Sequence, residues 1–229
     1  MLLYKGRKML FKGAVSMKNS YFLQEGVWLK GNLHSHTTVS DGVYTPEEMA
    51  VDYAAHGYDF ISMTDHNVFV VHTIAEAEGL LLLPGVEHDL AYSRYNCIHV
   101  VGTGQAEKLE TGYPCRKYAP EEMRDQELID MMARDGQYVV LAHPVWSRME
   151  PEEVAALEGF HAIEVYNRGA ENLCRAGRGD VYWDMLLRRG HKVYGMASDD
   201  THKKFDAFGG WIWVKAKERT HAAIMEALF

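Results

Sequence analysis

The sequence is short of the features that would mark an exported, membrane-bound or dinucleotide-dependent protein. Its 229 residues hold three widely spaced cysteines, Cys97, Cys115 and Cys174. Three scattered thiols make neither a disulfide framework nor a C-x-x-C zinc site, and a reducing, cytoplasmic setting is the expectation. No apolar run approaches transmembrane length. Met1 to Tyr21 is mixed and basic, without the apolar block of a signal peptide, so no membrane contact is expected. Excess positive charge is missing too: 32 acids face 24 Lys and Arg, for a formal net charge of -8. That argues against an extended nucleic-acid backbone surface. A small phosphorylated substrate stays open, because bound metal ions would invert the local field. There is no glycine-rich dinucleotide loop and no Walker motif, and no G-x-S-x-G elbow.

What the chain does have is histidine, 12 residues of it. The run around which the rest is organised is Gly31-Asn32-Leu33-His34-Ser35-His36-Thr37-Thr38-Val39-Ser40-Asp41-Gly42. The alternating stretch Val27 to Leu33 leads into it and reads as a strand. In an extended chain, residues two apart point the same way, so His34 and His36 can reach one point just past the strand end. Asp41 can return to the same pocket after a short polar turn. Thr45-Pro46-Glu47-Glu48 then signals a helix start, with a cap residue, proline in the first position and acids in the first turn.

Further along, strands and helices alternate. Strands are expected at Asp59–Met63, Leu80–Pro84, Cys97–Val101, Tyr138–Leu141, Ala162–Val165 and Lys192–Met196, with a last extended segment at Gly209–Val214. Helices are expected from Pro46 to near His56, over Val70–Glu78, from Pro120 to about Arg134, from Pro151 to near Gly159, over Asp180–Arg189 and over Thr220–Leu228. Asp89–Arg94 reads as a turn and Gln105–Pro120 as an irregular loop. Residues 1–22 read as a short N-terminal β appendage, leaving 23–229 as one domain long enough for a sizeable core. Short apolar strands between helices indicate an α/β domain with a mainly parallel core. Polar or acidic residues follow strand after strand, at the end of a barrel where active sites gather. A barrel-like (β/α) domain with seven strands is therefore expected, and a doubly wound sheet is the alternative.

Nine residues form the candidate constellation: His34, His36, Asp41, His66, Glu87, His99, His143, Asp200 and His202. All are nitrogen or oxygen donors, which suits Zn, Mn or Fe better than a thiolate-selecting ion. Nine donors exceed the needs of one ion and match two or three sharing a carboxylate. Glu87 is the best bridge, since a carboxylate offers two oxygens and an imidazole one free lone pair. Asp199 is the second choice to Asp200. Asp65 is expected behind the ligands, as an acceptor that orients a neighbour.

The motifs resemble the polymerase and histidinol phosphatase (PHP) superfamily. The resemblance rests on Gly31 to Gly42, Thr64-Asp65-His66-Asn67, Gly85-Val86-Glu87, His99-Val100-Val101-Gly102, Ala142-His143-Pro144, Ile163-Glu164-Val165-Tyr166-Asn167 and Asp200-Thr201-His202. It spans roughly Leu29 to the C-terminus, and Trp28 to His34 looks most like the carbaryl-hydrolase-like branch. The resemblance implies a distorted, TIM-like (β/α)7 barrel over 23–229 with two or three divalent ions. It implies one ion on His34, His36, Glu87 and Asp200, a second on Glu87, His99 and His143, and a third on Asp41, His66 and His202. The sequence departs from the family at Asp199, where serine is commoner. It departs again in the short His99–His143 interval, which lacks the helical insertion of relatives that cleave nucleoside phosphates and short oligonucleotides.

Clustered ions acidify and orient a water and neutralise charge on the attacked group. The expected activity is hydrolysis of a phosphoester by metal-activated hydroxide, on a small phosphomonoester before a diester. The alternatives are a carbamate or carboxylic ester hydrolase and a metal-dependent binding domain without turnover. His34, His36, Glu87 and His202 are the expected catalytic set, with His202 or His36 able to pass a proton to the leaving group. Arg168 is the first choice to meet an anionic substrate because it directly follows the sixth strand, and Asn167 accompanies it. Arg94, Arg116, Arg148, Lys203 and Lys204 are further loop cations.

Overall fold

A computed structural model of the chain describes residues 25–69, 79–93, 96–104 and 115–229. The expected N-terminal appendage, the helix expected over Val70–Glu78, Arg94 and most of the Gln105–Pro120 loop lie outside the described residues.

Eight strands form one near-closed sheet: β1 (Val27–Asn32), β2 (Phe60–Met63), β3 (Leu81–Ser93), β4 (Asn96–Thr103), β5 (Tyr138–Leu141), β6 (Ala162–Asn167), β7 (Tyr194–Ser198) and β8 (Ile212–Ala216). Their spatial order is β7-β6-β5-β4-β3-β2-β1-β8. Among the described residues six α-helices surround the sheet: α1 (Pro46–Ala55), α2 (Asp125–Arg134), α3 (Pro151–Ala156), α4 (Arg168–Cys174), α5 (Asp180–Arg188) and α6 (His221–Leu228). The helix start read at Thr45 is a complete capping box. The Glu48 N–H donates to the Thr45 hydroxyl at 3.2 Å, and the Thr45 N–H donates to the Glu48 carboxylate at 3.0 Å. Both orphan donors are thereby satisfied.

The sheet is less parallel than the sequence pattern predicts. β1, β2 and β3 run parallel, as do β5, β6 and β7, but β4 is antiparallel to both neighbours and β8 is antiparallel to β1. In place of a strand at Leu80–Pro84 and a turn at Asp89–Arg94, β3 runs for 13 residues and pairs with β4 from Gly85 to Ser93. The pairing partner supplies the hydrogen bonds, and no local turn signal competes with it. Reversal of β4 matters for the site. It puts the early residues of that strand, His99 among them, at the end of the sheet where the parallel strands finish.

Two helices also depart from expectation. The helix expected from Pro120 begins at Asp125, because residues 119–123 make a separate turn in which the Ala119 N–H donates to the Glu122 carboxylate. α4 was not signalled by periodicity. It starts where the Asn167 side-chain oxygen (Oδ1) accepts from the Ala170 N–H at 2.8 Å. Three apolar clusters hold these parts together. One joins strands to α6 through Leu29, Phe60, Leu83, Val214, Ile224 and Leu228. A second packs β3 to β6 against α2, α3 and α5. The third seats α1 on β2 through Met49, Tyr53, Ile61 and Met63.

Candidate metal centre

Each candidate donor is delivered to one end of the sheet. His34 and His36 follow β1, His66 follows β2, Glu87 lies within β3 and His99 within the reversed β4. His143 follows β5, and Asp200 and His202 follow β7. Asp41 comes in on the turn after His36. All nine predicted donors are therefore brought together.

Glu87 is the hub. It is 1% exposed, and imidazole nitrogens of five histidines lie within 3.3 Å of its carboxylate. His34 Nε2 is 3.2 Å away, His36 Nε2 3.1 Å, His66 Nδ1 3.3 Å, His99 Nδ1 2.9 Å and His143 Nε2 3.1 Å. Asp200 closes the other side, with Oδ1 at 3.2 Å from both His34 Nε2 and His36 Nε2. His202 and His66 form the outer part with Asp41, at 3.4 and 3.9 Å from its carboxylate. Asp199 turns away from the cluster and accepts from the backbone N–H groups of Phe208, Gly209 and Gly210. Of the two adjacent carboxylates, Asp200 is the one that faces the histidines.

The donor chemistry fits divalent ions. His34 Nε2 and His36 Nε2 stand 3.2 Å apart, both buried. Ligands placed tetrahedrally at about 2.05 Å from a zinc ion stand about 3.3 Å from one another, close to the 3.2 Å separations among His34 Nε2, His36 Nε2 and Asp200 Oδ1. Buried His66 Nδ1 and Asp200 Oδ1 have no hydrogen-bond partner of proper geometry, which a cation would remedy. Four sets of donors lie close enough to share an ion: His36, Asp41, His66 and His202; His34, His36 and Asp200; His34, Glu87 and His143; and His66, Glu87 and His99. These sets regroup the partition implied by the sequence resemblance, chiefly by placing His66 beside both Asp41 and Glu87.

Electrostatics follow from carboxylates and imidazoles buried together. Burial alone would push the Glu87 and Asp200 carboxyls up. The surrounding histidines, His34 foremost, outweigh it and hold both well below the usual carboxylate range. Burial likewise disfavours imidazolium, yet Asp200, Glu87 and Glu164 raise His34 well above its ordinary value. At His99, burial is overcome chiefly by the Glu87 charge, and the ring is pushed up to about 10. At His202, burial yields to the Asp41 hydrogen bond and the Asp200 charge, which raise it to about 9. His66 goes the other way, because burial prevails over Glu87. Without an ion, the raised His34, His36, His99 and His202 are the rings whose charge offsets the carboxylates.

Behind the donors stand residues that fix them. Asp65 is buried and accepts four hydrogen bonds, from the N–H and hydroxyl of both Thr37 and Ser40, at 2.7–3.1 Å. It shapes the turn after His36, and the Ser40 hydroxyl lies 3.4 Å from His36 Nδ1. Sequence reasoning quoted Glu164 within a motif but gave it no role. Its carboxylate takes His34 Nδ1 at 2.8 Å, the His143 N–H at 2.8 Å, the Asn167 amide at 2.8 Å and the Ser198 hydroxyl at 2.5 Å. A lone acid in the otherwise apolar run Ala162-Ile163-Glu164-Val165 was the available signal. Asn167, expected at the substrate, is fully buried. Its amide nitrogen is spent on Glu164 and Asp200. Trp146 was also missed. Its ring stands edge-on to His99 and His143, with centroids at 5.2 and 4.9 Å. Arg168 lies at the same end of the sheet, and its Nε is buried without a partner.

No family model matches the chain. A stretch of 77 residues is 35% identical to the 5′-3′ exoribonuclease Rnm of Salmonella typhimurium, covering 31% of this chain and 26% of that protein. Among solved structures, the fold matches a two-domain Bacteroides vulgatus protein containing a predicted PHP-like metal-dependent phosphoesterase. The TM-score is 0.59 at 22% identity, over 90% of this chain and 64% of that one. A Bifidobacterium adolescentis protein described as a candidate metal-dependent phosphoesterase matches with a TM-score of 0.56 at 16% identity, covering 79% of this chain and 90% of that one. An amidohydrolase from Chromobacterium violaceum, with bound sulfate and no metal, gives 0.54 at 21%, covering 86% and 96%. The chain thus spans about a quarter of the exoribonuclease and under two thirds of the Bacteroides protein. On the strand order, the donor cluster and these matches, the chain has the fold of the PHP-like metal-dependent hydrolases.

Proposed function

We propose that this chain is a metal-dependent phosphoesterase that hydrolyses a small phosphomonoester. The observation that carries the reading is Glu87, a buried carboxylate ringed by five imidazoles within 3.3 Å and faced by Asp200 across His34 and His36. The nitrogen and oxygen donors suit Zn, Mn or Fe. His34, His36, Glu87 and Asp200 would hold one ion, Glu87, His99 and His143 a second, and Asp41, His66 and His202 a third. When bound, such ions acidify a water, orient it and neutralise the oxygens of the attacked group.

The protein's own contribution is placement. Glu164 holds the His34 ring through Nδ1, so Nε2 faces the cluster. This is the arrangement in which a carboxylate behind a ligand fixes its tautomer. The Ser147 hydroxyl, 3.1 Å from His143 Nδ1, holds the orientation of that ring. Trp146 keeps water from the His99–His143 side. His202 is the more open imidazole, with its side chain 32% exposed, and its pKa is raised to about 9. We assign His202, where it is not itself holding an ion, to pass a proton to the leaving oxygen. We assign Arg168, whose buried Nε has no partner, to the substrate anion. Asn167 is assigned to hold Asp200. The Trp28–His34 run supports the carbaryl-hydrolase-like branch within the superfamily.

The test joins metal content to turnover. Untagged protein is analysed for Zn, Mn and Fe per chain and assayed on nucleotide, sugar and aryl phosphates beside carbamate and acetate esters. Two or three ions with chelator-sensitive phosphate release are expected. Hydrolysis confined to the carbon esters would replace this reading with the carboxylic or carbamic one. Retained metal without any turnover would support a binding domain.

A further inference from the structure

Asp199 and Asp200 are neighbours with opposite duties. Asp200 faces His34 and His36, and it does so from a left-handed backbone, with φ +48°. A non-glycine residue in that region is disfavoured and persists where its surroundings fix it. The flanking contacts do so. The Asp200 N–H donates to the His34 carbonyl at 2.9 Å, and the His36 N–H donates to the Thr201 carbonyl at 3.0 Å. The Asp199 N–H donates to the Asn32 side chain at 3.1 Å, and the Asn32 amide in turn donates to the His34 carbonyl at 2.9 Å.

The Asp199 side chain is fully buried and accepts five hydrogen bonds. Oδ1 takes the N–H groups of Gly209 at 2.7 Å and Gly210 at 2.6 Å. Oδ2 takes the Phe208 N–H at 3.0 Å, the Tyr53 hydroxyl at 2.8 Å and the Tyr58 hydroxyl at 3.5 Å. Phe208, like Asp200, has a positive φ, +66°. Two glycines seat the same stretch. A Cβ on Gly169 would stand 2.4 Å from the Asp200 carbonyl oxygen, and one on Gly210 2.0 Å from that of Ser198. Three consecutive backbone donors and two tyrosines on one carboxylate exceed what solubility or simple burial requires.

We propose that Asp199 is a positioning residue for the metal centre. By clamping the 208–210 backbone together with Tyr53 and Tyr58, it holds Asp200 in its left-handed conformation with Oδ1 on the His34–His36 pair. The inference rests on Asp200 acting as a metal ligand. It uses a feature for which the metal reading alone has no role, a second buried acid that touches none of the histidines in the cluster.

The experiment strips the full chain with a chelator and titrates it with Zn2+ against a competing chromophoric chelator. A parallel titration uses Co2+ and records its visible absorption. Wild type is compared with Asp199→Asn and with Tyr53→Phe, each checked for folding by circular dichroism. Folded Asp199→Asn is expected to lose tenfold or more in affinity for one ion, as removal of supporting partners does. Its Co2+ spectrum is expected to change, because the geometry at the ion changes. Tyr53→Phe is expected to move both readouts in the same direction by less. Wild-type affinity and an unchanged Co2+ spectrum in folded Asp199→Asn would overturn the proposal. If that variant does not fold, the same two results in Tyr53→Phe overturn it. A wild-type chain that binds neither ion would instead overturn the metal reading, and this inference with it.

Discussion

Glu164 shows how much the candidate centre leans on a residue outside the donor set. It is buried, and its carboxyl is held below the usual range because His34, and then His143, outweigh the burial that would raise it. Glu164→Gln keeps the shape and removes the charge. It is expected to lower metal affinity and activity together by about 10- to 100-fold while leaving the circular dichroism spectrum unchanged. Wild-type metal content and activity in the folded variant would refute the role. Arg168 tests the substrate side. Its Nε has no partner to lose, so Arg168→Ala should leave metal content alone. It should raise KM for an anionic substrate about tenfold, the effect of one lost charge-assisted hydrogen bond of about 1.5 kcal/mol. An unchanged KM would remove Arg168 from the site.

At the scale of elements, α2 carries a cost that can be measured. Asp125, at its first position, is half-buried, and one carboxylate oxygen lacks a partner. Burial, with the Glu153 charge nearby, raises its pKa from 3.8 to about 6. The folded chain therefore holds a proton that the unfolded chain has released between those two values. Stability falls as pH rises through that window, and the full penalty stands at pH 7. Two pKa units correspond to about 3 kcal/mol, which solvent screening of a half-exposed group reduces to about 1 kcal/mol. Asp125→Asn should then raise Tm at pH 7 by about 2–4 °C, with the gain vanishing below pH 4. A gain that persists at pH 3.5 would point to a cause other than this ionisation.

The same scale shows what could be read beforehand and what could not. The His34–His36 pair was legible because period two is a property of any strand, and Thr45–Glu48 because a capping box is local chemistry. Strand ends carrying His66, His143 and Asp200 were legible for the same reason. The reversal of β4 was not, since the hydrogen bonds that decide direction come from β3 and β5, distant in sequence. That reversal is what brings His99, inside its strand, to the end of the sheet where the other donors stand. Glu164 was hidden because its partners lie 130 residues earlier at His34 and 34 later at Ser198. Asp200 was read ahead of Asp199 from the Asp-x-His spacing, but the left-handed backbone at Asp200 that turns the two carboxylates apart was not legible.

For the whole molecule, protons and metal ions compete for one set of lone pairs. In the ion-free chain burial opposes charge on the rings, but the Glu87 charge lifts His99 to about 10, and the Asp41 hydrogen bond and Asp200 charge lift His202 to about 9. The unfolded chain releases those protons near 6.5. Between 6.5 and these values the folded state binds more protons, so ion-free stability is fully present below about 6.5 and is lost as pH rises toward 9–10. Glu87 and Asp200, held low, set the other edge, because their contribution is present above about 4 and is lost as acid protonates them. Ion-free protein should therefore be most stable at mildly acid pH. Divalent ions reverse the trend. Binding must displace the ring protons, so apparent affinity rises with pH, and the stabilisation, which grows with the ratio of free ion to Kd, rises with it. The increase in Tm on adding Zn2+ or Mn2+ should thus be larger at pH 8 than at pH 6. The calorimetric heat at pH 7 should differ between buffers of different ionisation enthalpy, reporting protons released. A metal-induced increase that is flat with pH, together with heats independent of buffer, would mean that the imidazoles around Glu87 are neutral before any ion arrives.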